Sequence, residues 1–254
     1  QWPMAFRQVS GPNAWAPALV KTAKDRFKIS SVVVVAPNDQ GGTDIASVNA
    51  EAYKAQGIKT TEEYYQRGTT NFAPIVTRIM NLKPDAVDTA SSPPGEAATM
   101  VKQLLEAGFT GVFGRLGGPG VPDIIGAVGG VEKIKGLYWL ELVAIDDPKV
   151  KSMLADYQSL MKTAAPENTL LYTSAAATRM LLKAVTAAGT DSDVGKVADA
   201  MRKLTPDDPY LGKGSWTGKA NFGVDQEMLF PVGMGLVVDG KHLGVTKLEL
   251  SSGK

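Results

Sequence analysis

The sequence holds one histidine, His242, and no cysteine. Those two facts remove thiolate nucleophiles, disulfides, Cys-based zinc sites and multi-His metal sites together, and any Ser-His-acid triad would depend on His242. No Gly-x-Ser-x-Gly elbow is present, and His242 lies two residues past a tight turn, where an exposed, inert imidazole is the plainer expectation. Asn38-Asp39 offers a single acid, and Glu62 and Glu63 fall on opposite faces of a predicted strand, so glycosidase chemistry has no foothold. Residues 189–196 resemble a phosphate loop, but five residues separate Gly189 from Gly195, and Val197 stands where a hydroxyl would bind magnesium. Gly114, Gly117, Gly118 and Gly120 follow a predicted strand without matching the dinucleotide fingerprint, and Pro119 and Pro122 disturb the helix start that would receive pyrophosphate. No catalytic residue, metal or cofactor is therefore expected. Tyr64, Tyr65, Trp139 and Trp216 would line a cleft only if their positions promoted them above ordinary core packing.

Composition narrows the classes further. With 27 Lys and Arg against 26 Asp and Glu, the net charge of +1 creates no field that would draw nucleic acid, and no nucleic-acid partner is expected. At 44% apolar over 254 residues the chain carries a sizeable core in one or two domains of about 150 residues each. The longest apolar run, residues 228–238, is broken by Pro231, Gly233 and Gly235, far short of the roughly 18 residues of a membrane span. Absence of cysteine suits an oxidising compartment. A start at Gln1-Trp2-Pro3, without initiator Met or leader, leads to the expectation of a processed chain or a fragment.

The elements that must position any site follow from periodicity. Residues 32–36 form a short β-branched run of the kind buried on both faces of a parallel sheet. Similar segments start near Lys59, Ala86, Gly111 and Gly136, at offsets of 27, 27, 25 and 25 residues, the length of a repeating βα unit. Helical patterns fill the gaps at 43–56, ending at Gly57, at 72–82 after the cap Asn71, and at 93–107, ending at Gly108. After Trp139 the pattern changes to three helices, 148–163, 168–188 and 191–203, a different layer. Strands are predicted at 215–217 and 228–238, the latter meeting 242–250 across Asp239-Gly240, a two-residue hairpin signal.

The run Val32-Val-Val-Val-Ala-Pro-Asn-Asp-Gln-Gly-Gly42, Thr69-Thr-Asn-Phe72 and Leu82-Lys-Pro-Asp-Ala-Val87 resembles the periplasmic substrate-binding proteins of the branched-chain amino-acid transporter type. The helix ending Glu106-Ala-Gly108, the strand Lys135-Gly-Leu-Tyr138, the helix over 182–189 and the tail over 212–240 extend the resemblance to almost the whole chain. It implies a type I periplasmic-binding-protein fold, α/β, with two parallel-sheet lobes and flanking helices joined by a hinge. Family members run to roughly one hundred residues more, and Phe6-Arg7 resembles the first interlobe crossing, so the N-terminal half of lobe 1 has no counterpart here. The resemblance then implies lobe 2 at residues 8–145, C-terminal helices of lobe 1 at 146–205, and a hinge crossing with a C-terminal β-hairpin at 206–254.

Family positions carried over residue by residue give a candidate pocket in the strand-end loops. Asn38, Asp39, Gln40 and Gly41 match a loop in which relatives place a ligand-stacking tyrosine at Gly41. Ser91, Ser92 and Pro93 form a second loop, Arg115 and Leu116 a third, and Tyr172 lies one turn before Ala175, where the family has another tyrosine. Amino-acid binders supply a carboxylate near Gly114, whereas this chain has Arg115, either a fork for an anion or a solvated surface charge. The resemblance implies no enzyme but an extracytoplasmic or periplasmic solute-binding protein. Its ligand would be a small organic acid, aromatic carboxylates included, held between two lobes and presented to the membrane permease of an ABC transporter. An amino-acid binder and a receptor's sensor domain are the alternatives. The apolar helices after residue 148 are expected to pack on an N-terminal fragment or a second chain completing lobe 1, or to fold back over lobe 2.

Overall fold

Four consecutive valines leave neither face of a strand tolerant of water. In the computed structural model, which describes residues 3–164 and 169–250, β1 (Ser31–Pro37) is buried from its second residue to its last. It follows α1 (Pro12–Phe27) and opens a repeating series: α2 (Gln40–Ala55), β2 (Lys59–Tyr65), α3 (Ala73–Leu82), β3 (Ala86–Asp88), α4 (Pro94–Glu106), β4 (Val112–Arg115), α5 (Val121–Val128) and β5 (Gly136–Glu141). The strands pair in parallel, with Val32 opposite Thr60 and Ala86, Asp88 opposite Gly114, and Arg115 opposite Trp139. The sheet order is β2-β1-β3-β4-β5-β10-β11, where β10 (Val232–Val238) and β11 (Lys241–Leu248) come from the C-terminal part of the chain. The segments near Lys59 and Ala86 flank β1 as expected, while the one near Gly111 lies one strand further away.

The chain advances from β1 to β2 in one direction and from β2 through β5 in the other. Right-handed crossovers then put α2 on one face and α3, α4 and α5 on the other. In agreement, α2 packs on β1 and β2, α3 on α4, and α4 on α5. Lys24 of α1 donates to the Gln56 carbonyl just after α2 at 2.5 Å, joining those two helices.

Several boundaries differ from expectation for local reasons. Helix α1 was hidden by its prolines: Pro12 sits at the first position, where a missing N–H costs nothing, and Pro17 lies on the exposed side while Trp15, Ala16, Leu19, Val20 and Ala23 are buried. Pro122 does not disturb a helix start; it occupies the first turn of α5, and Gly120, at φ 119°, makes the turn into it. Helix α2 begins three residues before position 43 because Asp39 caps it, accepting from the Gly42 N–H at 2.9 Å. The strand expected over 228–238 is two, β9 (Glu227–Leu229) and β10, interrupted at Phe230-Pro231, since proline lacks the ladder donor. Asp239 and Gly240, at φ 48° and 74°, form the turn between β10 and β11, both in the left-handed region that a tight two-residue hairpin requires.

The chain divides into two compact units, residues 16–140 with 234–245, and residues 1–15 with 141–233 and 246–254. The C-terminal segment therefore splits, the hairpin strands joining the parallel sheet because their apolar positions, such as Val237, cover its free side next to β5. The other unit contains α6 (Pro148–Met161), α7 (Leu170–Ala188), α8 (Val194–Lys203), the short pair β6 (Asp207–Asp208) and β7 (Gly212–Lys213), and β8 (Ser215–Thr217) paired antiparallel with β9. Position 168, the expected start of α7, lies outside the described residues. Its core gathers Val143, Met153, Tyr172, Met180, Met201 and Phe230. Phe6-Arg7 enters this unit: the Arg7 N–H donates to Gln226 O at 2.8 Å, and its guanidinium pairs with Glu227 at 2.6 Å.

Candidate functional site

Strand β1 has β2 on one side and β3 on the other, so the chain reverses its direction of advance there. Open α/β sheets bind ligands outside the carboxyl ends of strands at such a switch point. Three loops leave that edge, after β1, β3 and β4. They are packed together: Ser91 Oγ donates to Gly41 O at 3.3 Å, Ser92 Oγ to Val35 O at 3.4 Å, and Asn49 Nδ2 to Leu116 O at 2.9 Å. Gly117, at φ 115°, lets the third loop press on α2, where a Cβ would stand 2.7 Å from Ile45 Cγ2. Helices α2, α4 and α5 all begin at this edge, which turns three partial positive charges toward it and favours an anion.

The sequence-derived residues 38–41, 91–93 and 115–116 are thus brought to one edge of one sheet. Asn38 and Gln40 are exposed, Ser91 and Pro93 half-buried, Ser92 and Leu116 buried. Asp39 is already committed, as the cap of α2 and as the partner of Arg67. The Arg67 guanidinium, and after it the Gly42 amide, hold its carboxyl below the ordinary 3.8. Tyr172 belongs to the other unit, 3% exposed in its core, and burial is the main reason its hydroxyl titrates above the ordinary 10.0.

Arg115 requires correction on both of its expected readings. It is 1% exposed, so it is no solvated charge. Its donors are also taken: Nε goes to Pro119 O at 3.1 Å, one terminal nitrogen to Pro119 O at 2.5 Å and Ser92 O at 2.6 Å, the other to Ala90 O at 2.5 Å and Thr89 O at 3.3 Å. A guanidinium whose fork is filled by carbonyls does not fork a ligand carboxylate. Burial draws it down to about 10, against the pull of Asp88, and it remains a cation at neutral pH.

Sequence reading missed the group beneath these loops. Asp88, fully buried at the end of β3, accepts from the Ala90 N–H at 2.9 Å, the Leu116 N–H at 3.2 Å, Tyr53 Oη at 3.1 Å and Asn49 Nδ2 at 3.4 Å. Tyr53 in turn shares a 2.6 Å hydroxyl contact with Tyr138. Burial raises Asp88 above the ordinary 3.8 although the Leu116 and Ala90 amides oppose it. The signal was available: an acid closing a short, wholly apolar strand must find partners, and Asn49 and Tyr53 recur four residues apart on one face of α2. Among the described residues no group of three or more His, Cys, Asp or Glu side chains could hold a metal.

Residues 2–232 match a family model described as periplasmic binding protein. Among curated proteins, the leucine-, isoleucine-, valine-, threonine-, and alanine-binding protein of Pseudomonas aeruginosa is 24% identical over 207 residues, covering 81% of this chain and 54% of that one. The chain thus spans about half the length of the curated relative it matches. Among solved structures, the leucine-binding protein LivK of Thermotoga maritima superposes with a TM-score of 0.76 at 20% identity, over 96% of this chain and 67% of that one. A solute-binding protein of an ABC transporter from R. palustris, in complex with benzoate, gives 0.72 at 18%, over 98% and 68%.

Proposed function

The chain belongs to the periplasmic binding protein family, with the mixed α/β, mainly parallel-sheet fold of its type I members, and from that premise we propose that it captures a small organic carboxylate for an ABC transporter. The observation that supports this most is the convergence of three helix N-termini and the loops 38–42, 91–93 and 116–118 at the β1/β3 switch point. In this reading the amide-rich loop ends receive the carboxylate, with Asn38, Gln40, Gly41, Ser91 and Pro93 as the ligand-facing set and the buried Ser92 and Leu116 supporting it from behind. Asp39 holds its loop through Arg67, while Tyr172 is committed to the core of its own unit. Residues 16–140 with 234–245 serve as lobe 2, and the helices within 141–233 belong to lobe 1.

The work is binding and delivery to a membrane permease outside the cytoplasm, with no bond made or broken. Glycine at position 41 leaves room that suits an aromatic or branched side group, and the names of the relatives offer both kinds: leucine and other amino acids, and benzoate. The part of the fold that relatives carry beyond this chain's span completes lobe 1. Calorimetric titration and thermal shift with L-leucine and benzoate test the reading. A ligand at one hundred times its Kd stabilises the native state by about 2.7 kcal/mol. A native chain whose melting temperature moves with neither probe nor with any other amino or aromatic acid would sink the proposal.

A further inference from the structure

Resting on the reading that the strand-end loops hold the solute, we infer that Arg115 is a positioning residue that fixes the shape of those loops without touching the ligand. Adjacent strands β3 and β4 end in opposite charges, and each charge collects one kind of backbone group. Asp88 takes the N–H groups of Ala90 and Leu116. Arg115 takes the carbonyls of Thr89, Ala90, Ser92 and Pro119. Four carbonyls from two loops thus converge on one planar cation, three of them in residues at or below 1% exposure. Without the guanidinium the carbonyls of the buried Ala90 and Ser92 would lose this partner, a loss that a folded loop does not sustain, while Thr89 O would keep the Ser92 N–H at 2.9 Å and Pro119 stands exposed.

The backbone conformation supports the same assignment. Ala90 sits at φ 35°, a left-handed geometry that an alanine keeps only where its surroundings over-determine it. Its N–H is held by Asp88 and its carbonyl by Arg115, so both ends of the strained residue are fastened by this pair. Lysine cannot replace the fork: it has one nitrogen and no planar spread with which to reach both Pro119 and Thr89. Gly118 fits against the guanidinium, where a Cβ would stand 3.0 Å from a terminal nitrogen. With the clamp loosened, the binding-competent loop conformation becomes a fraction of the population, and the apparent affinity falls by that fraction.

The experiment uses the 254-residue chain, R115K and, in case that variant does not fold, G118A, which crowds the guanidinium while leaving it in place. Amide hydrogen exchange at residues 89–92 and 116–120 is measured first, with no ligand present. The expected result is acceleration of about tenfold or more in those loops and unchanged protection in β1. Unchanged loop exchange in a folded variant overturns the inference. Affinities are then measured for L-leucine and leucinamide, and for benzoate and benzamide. A positioning role lowers affinity for each acid and for its amide by similar factors, about tenfold, chiefly through a slower association rate. Loss confined to the acids shows direct pairing with the ligand carboxylate and overturns the inference. So does a lower melting temperature with unchanged affinity, the mark of a purely structural residue. If the unaltered chain binds none of these probes, the proposed function fails for them, while loop exchange still decides whether Arg115 holds the loops.

Discussion

At the scale of single residues, the buried carboxyl of Asp88 makes a pH-dependent contribution whose sign follows from its environment. Burial raises its native value above the ordinary 3.8, so the native state binds the proton more tightly than the unfolded chain. Its contribution is most favourable below 3.8 and is lost as pH rises through the raised native value. Asp88→Asn removes that dependence. Urea midpoints of the two proteins across the acid range should show the unaltered chain losing ground to the variant as pH climbs through this window and holding a constant offset above it. A parallel pair of curves would mean that Asp88 binds its proton equally well in the native and unfolded chains. Very little of this was legible in advance. A lone Arg after Val112-Phe113-Gly114 reads as a ligand fork or a surface charge, because its actual partners are main-chain carbonyls over 20 residues distant in sequence, apart from Pro119. Carbonyls have no letter in a sequence. The loops themselves were legible, since the 25- to 27-residue spacing of strands locates their carboxyl ends.

At the scale of elements, what could be read was whatever depended on side-chain pattern, and what could not was whatever depended on where a proline falls within a turn of helix. The valine run and the Asp239-Gly240 turn carry their structure in a few adjacent residues. Helices α1 and α5 were obscured by Pro17 and by Pro122, which look like breaks in a pattern and are tolerated for different reasons: one by exposure, the other by position in the first turn. Pro17 still leaves the Asn13 carbonyl without its helical donor. Pro17→Ala restores that donor on the exposed side of α1, and should stabilise the chain by about 1 to 3 kcal/mol, the order of the proline penalty in a helix interior. Equilibrium unfolding in urea reads this directly, and a destabilised variant would show that Pro17 makes contacts α1 needs.

At the scale of the molecule, the unit built from α6, α7 and α8 carries more apolar surface than it covers. A groove of about 940 Å³ is lined by Met4, Phe6, Leu181, Val185, Val194 and Met201, among others, and Leu160 stands 80% exposed on α6. The apolar helices expected after residue 148 are thus only partly buried: Val150, Met153 and Met180 face the core, whereas Leu181 and Leu182 do not. Exposed apolar surfaces of this kind are where other molecules, protein, membrane or ligand, bind. The isolated chain should enhance the fluorescence of an apolar dye such as ANS under native conditions, and Leu181→Lys with Val194→Lys should reduce that signal at least twofold while leaving far-ultraviolet circular dichroism unchanged. An unaltered signal would place the dye elsewhere.

The seven-stranded sheet ends on β2 and β11, and a sheet that ends is a template for further strands. Main-chain donors and acceptors on those outer margins would welcome a strand from a neighbouring molecule, and stacking of that sort is how soluble chains become fibres. Strand β2 reads Lys-Thr-Thr-Glu-Glu-Tyr-Tyr, with Glu62 and Glu63 on opposite faces, Glu63 paired to Arg78 and Glu62 near Lys54. Strand β11 carries Lys241 and Lys247. Two copies meeting in register along β2 would set glutamate against glutamate on both faces, and along β11 lysine against lysine, so the charges that looked like a poor pair of catalytic acids serve to keep neighbouring molecules apart.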